Sequence, residues 1–140
     1  MNWFHWALLS ACFAGVTAVL AKSGVEGVNP DLATAIRTTV VLVFTWGIAL
    51  LSARISEIAH ISGRSWWFLG VSGVATGLSW LCYFRALQLG EASRVAPVDK
   101  LSVVFAIVFA ALFLRERLSL QHWIGGMLIF AGALVLAWKR

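Results

Sequence analysis

Four ionisable side chains lie inside long apolar stretches of the chain or near their edges: Arg37, Arg85, Asp99 and Lys100. Charged groups in such surroundings are costly and are usually functional. The arginines and the lysine attract an anionic group, whereas the Asp99 carboxylate can carry a proton or pair with a cation. Three positive charges against one negative charge favour an anionic or zwitterionic ligand over a cation.

Two aromatic side chains come from the same stretch as Arg85. Trp80 and Tyr83 can supply stacking and hydrogen bonds to a bound solute, which makes them candidate binding residues together with the four charges. A structural interpretation competes with this one. In it the charges snorkel to the surface or pair with each other, for instance Asp99 with Arg85, and only hold helices together.

The apolar stretch after Lys100 is too short to cross a membrane alone. Leu101 to Leu114 contains 14 uncharged residues, about 21 Å of helix against a hydrocarbon core of roughly 30 Å. The charges that follow it must lie in water or among headgroups. A spanning helix therefore has to begin before Asp99 and Lys100, and it carries both residues about one turn into the apolar layer.

The composition indicates an integral membrane protein. Hydrophobic residues make up 61% of the chain and charged residues 12%, about half of the charged fraction of soluble proteins. Five apolar segments predict an all-α membrane protein, a bundle of five transmembrane helices at approximately 3–21, 32–51, 66–89, 95–114 and 123–138. In the second segment, Asn29, Pro30 and Asp31 form a helix start.

Helix direction alternates along such a chain, which places the charges relative to the membrane. Arg37 is near the start of the second helix, Arg85 near the end of the third, and Asp99 and Lys100 near the start of the fourth. We therefore expect all four near one membrane face. There they either form the structural pairs described above or line a water-filled cavity that binds a solute.

Small residues recur at helical spacing, as close helix packing in lipid requires. Asp99 shares a stripe with Ser102, Ala106 and Ala110, which predicts that it points into the bundle while Lys100 lies on a bulkier face. In the fifth helix the predicted contact face contains Gly125 and Gly132.

The basic residues outside the spans give no orientation by the positive-inside rule. Four fall on each side: Lys22, Arg94, Lys139 and Arg140 on one, and Arg54, Arg64, Arg115 and Arg117 on the other. A balanced chain with an odd number of helices can insert both ways. Two opposed copies would then form the inverted pair from which transporters build a midplane site.

The second half of the chain resembles the closing half of an EamA domain of the drug/metabolite transporter superfamily. The resemblance rests on the turn at Gly90–Ser93, on Pro97 opening the next helix, on the exit from Leu114 to Ser119, and on Gly125 followed by Gly132. Upstream, Arg37 is similar to an arginine that such domains carry early in their second helix.

The resemblance implies one EamA-like transmembrane domain over 1–140, in the bacterial inner (cytoplasmic) membrane. It implies secondary transport of a small metabolite by alternating access. The expected assembly is a homodimer, whose two copies can be antiparallel, or a pair with a paralogous half-transporter. Met1 to Ala21 contains no acidic residue, so cation export through a glutamate in the first helix, as in small multidrug exporters, is not expected. A non-transporting subunit that packs against a partner transporter or lipid-handling enzyme is the alternative.

Neither catalysis nor a cofactor is expected. Cys12 and Cys82 fall in separate apolar segments and cannot form a disulfide framework. The three histidines share no face, and neither a metal-ligand spacing nor a nucleophile–base arrangement appears. Nucleic acid is not an expected partner, because the basic residues lie between apolar runs and suit headgroup anchoring.

Overall fold

The computed structural model describes residues 2–52 and 55–138, and the regular elements in these ranges are all helical. They are α1 (Trp3–Val25), α2 (Pro30–Ser52), a 3-10 turn (Ile55–His60), α3 (Gly63–Leu89), α4 (Ala92–Asp99), α5 (Ser102–Phe113) and α6 (Leu120–Ala137). Arg54, Lys139 and Arg140, three of the charges in the orientation count, lie outside the described residues.

Five segments of the described chain are long and apolar enough to cross a membrane, with α4 and α5 together forming the fourth. The predicted all-α membrane bundle is confirmed. Several helices extend beyond the apolar runs: α1 continues to Val25, and α3 begins at Gly63. Apolar runs indicate where lipid must be, whereas a helix continues until a cap or a turn ends it.

The start of α2 follows from its sequence. Asn29 Oδ1 accepts hydrogen bonds from the backbone N–H groups of Asp31 at 2.9 Å and Leu32 at 3.2 Å. Pro30 occupies the first helical position, where no N–H is needed. The predicted N-cap is confirmed, and it places Asp31 in the first turn of the second span.

The fourth span is interrupted, although the sequence predicted a continuous helix. Lys100 and Leu101 separate α4 from α5. The Leu101 N–H donates to the Val98 carbonyl at 3.0 Å and the Val103 N–H to the Lys100 carbonyl at 3.0 Å, three residues back instead of four. Pro97, one turn earlier, has no N–H to donate, which weakens α4 just before the break. Asp99 and Lys100 therefore lie at a tightened 3-10 junction.

The chain divides into two compact units. The first, Met1–Ser23 with Leu89–Arg140, contains most of α1 and all of α4, α5 and α6. Here α4 and α5 both pack on α6. The buried residues of α6 are Gly126 and Ala133, two turns apart on one face, and a Cβ added to Gly126 would stand 3.8 Å from Ile107 Cδ1. The buried face is thus displaced by one residue from the predicted Gly125 and Gly132.

The second unit, Gly24–Gln88, contains α2 and most of α3. Thr34 of α2 and Phe84 and Leu87 of α3 are buried. The Thr34 hydroxyl donates to the Pro30 carbonyl at 2.8 Å within its own helix, so its polar atom is satisfied. Long side chains connect α2 to α3, and they include three of the residues that the sequence singled out.

Candidate functional site

Arg37 lies against the aromatic face of α3. The central carbon of its guanidinium is 4.4 Å from the centroid of the Trp80 ring and 5.5 Å from that of Phe84. Trp80 and Phe84 are one turn apart, so both rings project toward the same arginine. Arg37 is half-buried and about 10 Å along the helix from Pro30. The aromatic faces hold the cation by attraction to their π-systems.

Arg37 makes no ion pair with a carboxylate in the parts of the chain that the structure describes. Tyr83 lies close enough to interact with it electrostatically, and the Tyr83 ring packs edge-on against Phe84 with centroids 6.4 Å apart. Three predicted site residues, Arg37, Trp80 and Tyr83, are therefore brought together within one unit. Phe84 belongs to the same group and was not predicted.

Arg85 pairs with Asp31. Its Nη2 donates to both carboxylate oxygens of Asp31, at 2.9 and 3.0 Å. The sequence interpretation gave Asp99 as an example partner of Arg85, whereas the ion pairs seen among the described residues are Arg85 with Asp31 and Asp99 with Lys100. Asp31 is a residue that the sequence interpretation missed as part of the site. Helix alternation could have found it, since that argument places the start of α2 and the end of α3 at the same face.

Gln88 adds a further contact one turn after Arg85. Its Nε2 donates to the carbonyl of Val28 at 2.5 Å and to that of Val25 at 3.4 Å. Val25 ends α1 and Val28 lies in the connection to α2. The end of α3 is thereby tied to the α1–α2 connection, and nothing in the helical periodicity signalled this bond.

Asp99 and Lys100 lie in the first unit, at the junction of α4 and α5. Lys100 Nζ is 3.5 Å from Asp99 Oδ2, so the two neighbours pair with each other. The Asp99 side chain is the more covered of the two, 36% exposed against 55% for Lys100. This agrees in direction with the expectation that Asp99 faces inward.

The fold and these charges define a class: a multi-helix membrane protein with ionisable groups inside its apolar spans, as membrane transporters have. The family comparison agrees, because the EamA-like transporter family matches residues 1–138. The chain belongs to the EamA-like transporter family, and this membership supports a membrane transporter.

Two relatives align with nearly the whole chain. An uncharacterized transporter encoded in the cobO 3' region of Sinorhizobium sp. is 54% identical over 136 residues, which cover 97% of this chain and 96% of the relative. The uncharacterized transporter YxxF of Bacillus subtilis (strain 168) is 26% identical over 136 residues, 96% of this chain but only 42% of the relative. The chain thus spans less than half of the second protein.

A third relative aligns in part. The probable 4-amino-4-deoxy-L-arabinose-phosphoundecaprenol flippase subunit ArnE of Yersinia pestis (strain Pestoides F) is 32% identical over 71 residues, which cover 51% of this chain and 62% of that protein. No solved structure matches the chain.

Proposed function

We propose that the protein is a secondary transporter that moves a small anionic or zwitterionic metabolite by alternating access. The observation that carries the proposal is Arg37: a permanently charged group inside a span, held on Trp80 at 4.4 Å and engaged by no carboxylate among the described residues. A charge at this depth needs a counter-charge, and a transported anion supplies one.

The geometry of Arg37 favours an oxyanion. Stacking on an aromatic ring uses the flat face of the guanidinium and leaves the N–H groups along its edge available. That edge matches the paired oxygens of a carboxylate or a phosphate. Trp80 and Tyr83 then contact the rest of the metabolite. A cationic substrate would meet Arg37 with the same sign of charge.

The paired charges have different proposed roles. Arg85 and Asp31 neutralise each other, so the charges of α2 and α3 discussed here leave one positive charge, on Arg37. Asp99 is the proposed protonation or pairing site that couples transport to an ion, with Lys100 as its partner in the present state. The 3-10 junction beside them supports this role, because interrupted helices commonly form coupling sites in transporters.

The proposed working unit is a dimer in the bacterial inner membrane, either two copies of this chain, in parallel or opposed orientation, or this chain with a paralogous half-transporter. The YxxF relative supports an assembly of two halves, since the alignment takes up only 42% of its length. The relatives named above come from bacteria, which supports a location in the bacterial inner membrane.

Transport by proteoliposomes tests the proposal. Purified protein is reconstituted and assayed for exchange of radiolabelled carboxylates, phosphate esters and amino acids, with an organic cation for comparison. We expect exchange of one anionic or zwitterionic class and its loss in Arg37→Gln. A wild-type protein that exchanges none of these solutes contradicts the proposal. So does activity in Arg85→Gln and Asp99→Asn that equals the wild type.

The second candidate function is that of a non-transporting subunit, and the ArnE relative favours it because that protein is named as a subunit of a flippase. In this case the chain packs against a different membrane protein that handles a lipid-linked substrate. Affinity purification from native membranes separates the two candidates. A stoichiometric second protein supports the subunit, whereas a homodimer supports the transporter.

A further inference from the structure

An open cleft of about 500 Å³ lies between α4 and α6, and it is independent of the Arg37 site. Its lining residues are Arg94, Leu134, Val135 and Trp138. Arg94 is in the first turn of α4, and the other three come from the end of α6 and the residue after it. The cleft therefore combines one cation with apolar walls at the end of a spanning segment, the depth at which lipid headgroups meet acyl chains.

Arg94 has an acidic neighbour one turn earlier. Its Nε lies 3.2 Å from Oε2 of Glu91. This contact engages Nε, and the guanidinium carries four more N–H groups on its two terminal nitrogens. The Glu91 side chain is 72% exposed and makes no capping hydrogen bond to α4. Glu91 thus places a negative group beside the positive group of the cleft-lining Arg94.

We propose that this cleft binds a phospholipid with a zwitterionic amine headgroup, that is, phosphatidylethanolamine. The lipid phosphate accepts hydrogen bonds from the terminal nitrogens of Arg94, and the ammonium group lies two carbons further on, at the Glu91 carboxylate. The acyl chains pack on Leu134 and Val135. The indole of Trp138, 79% exposed, lies at the interfacial level that tryptophan prefers.

Charge complementarity selects this headgroup among common phospholipids. Phosphatidylglycerol carries the phosphate but no cation for Glu91. Phosphatidylcholine carries a cation without N–H donors, so it cannot hydrogen-bond to the carboxylate. Of these three headgroups, only ethanolamine satisfies both members of the pair.

Native mass spectrometry of the full-length chain tests the proposal, with an equimolar mixture of phosphatidylethanolamine, phosphatidylcholine and phosphatidylglycerol of identical acyl chains. We expect the wild type to retain phosphatidylethanolamine at least about fivefold over the other two. Arg94→Gln should lower its retention about tenfold, the loss expected for a charge-assisted hydrogen bond. Glu91→Gln should keep phospholipid bound but abolish the headgroup preference.

Arg117→Gln and Glu116→Gln are the matched controls, because they make the same charge changes in the connection between α5 and α6. Both should bind lipid like the wild type. All variants retain Lys139 and Arg140, so attraction by the basic C-terminal residues is common to all. If Arg94→Gln does not fold, Val135→Trp provides the test: it fills the apolar part of the cleft and should expel lipid with both charges intact.

Equal retention of the three lipids by the wild type would overturn the proposal, and so would a preference for phosphatidylglycerol. The proposal would also be overturned if Arg94→Gln and Val135→Trp retained lipid like the control variants. A competition experiment shows whether the bound headgroup belongs to a lipid or to a free solute. Soluble phosphoethanolamine should not displace the lipid at equal concentration, and displacement would show that the cleft takes a solute instead. None of these results depends on transport by the Arg37 site.

Discussion

Arg37 lies over two aromatic rings of α3, and in the proposed binding role this contact orients its guanidinium. The Trp80 and Phe84 rings lie 4.4 and 5.5 Å from the guanidinium carbon, and these contacts restrict the directions in which its donors can point. A lysine at this position has the same charge, but its ammonium is a point charge without a fixed fork. Charge and geometry can therefore be separated at this residue.

We predict that Arg37→Lys lowers substrate affinity about tenfold or more in the proteoliposome assay, because the bidentate contact is lost although the charge remains. Arg64→Lys is the control: Arg64 also lies over a ring, with its guanidinium carbon 5.7 Å from the Phe68 centroid at the start of α3, but it is not a proposed binding residue. Equal affinities for Arg37→Lys and the wild type would show that charge alone is used there.

The types of the site residues were readable from the sequence, and most of their partners were not. Charges inside apolar runs identified Arg37 and Arg85, and helix alternation placed them at one face. Asp31 was interpreted only as a helix-start residue, since an acid in a first turn is already explained by the helix dipole. Its ion pair with Arg85 spans 54 residues of sequence, and no local pattern encodes such a contact.

At the level of the helices, the α6 contact illustrates what periodicity can and cannot decide. Gly125 and Gly132 are two turns apart, and so are Gly126 and Ala133. Both pairs form a small-residue face, rotated from each other by about 100°. The sequence therefore predicted that a small face of α6 packs closely, and only the structure shows that Gly126 and Ala133 form it.

We predict that Gly126→Leu destabilises the protein and Gly125→Leu does not. A Cβ at Gly126 stands 3.8 Å from Ile107 Cδ1, so the rest of a leucine side chain has to displace the Ile107 side chain, whereas nothing lies within 4 Å of a Cβ at Gly125. Overpacking of this kind costs about 1–3 kcal/mol. Thermal unfolding of both variants in the same detergent measures it, and equal midpoints would contradict the packing of α6 described here.

For the fourth span, the sequence indicated which residues it includes but not that its helix is interrupted. Its apolar run is too short to span the membrane alone, which predicted that Asp99 and Lys100 belong to the membrane segment. The 22-residue span Ala92–Phe113 includes both. The same length argument cannot detect a break, because a 3-10 junction and a continuous helix have the same composition. Pro97 was visible in the sequence, but it was interpreted as a helix start and not as a weak point.

For the whole molecule, composition was sufficient for the class, because a chain with 12% charged residues cannot cover a water-facing surface. The five apolar segments gave the number of spans. Composition does not specify which way the chain inserts. The balanced distribution of basic residues leaves both orientations open, and an opposed pair is one form of the proposed dimer.

We predict that reporter fusions at the C-terminus are active on both sides of the membrane in comparable amounts, if the dimer is antiparallel. Alkaline phosphatase reports the periplasmic side and a fluorescent protein the cytoplasmic side. Adding two lysines to the α2–α3 connection should shift the distribution toward one orientation by the positive-inside rule. A single orientation in the unmodified chain would exclude the antiparallel dimer and leave the parallel and paralogous forms.

The bond from Gln88 to the carbonyls of Val25 and Val28 limits where this protein can bend. It fastens the last turn of α3 to the chain entering α2, on the same side as the Arg85–Asp31 pair. Two attachments about one turn apart resist rotation as well as separation. These two contacts hold the end of α3 against the start of α2 at this membrane face, so in this state the two helices separate more readily at their opposite ends.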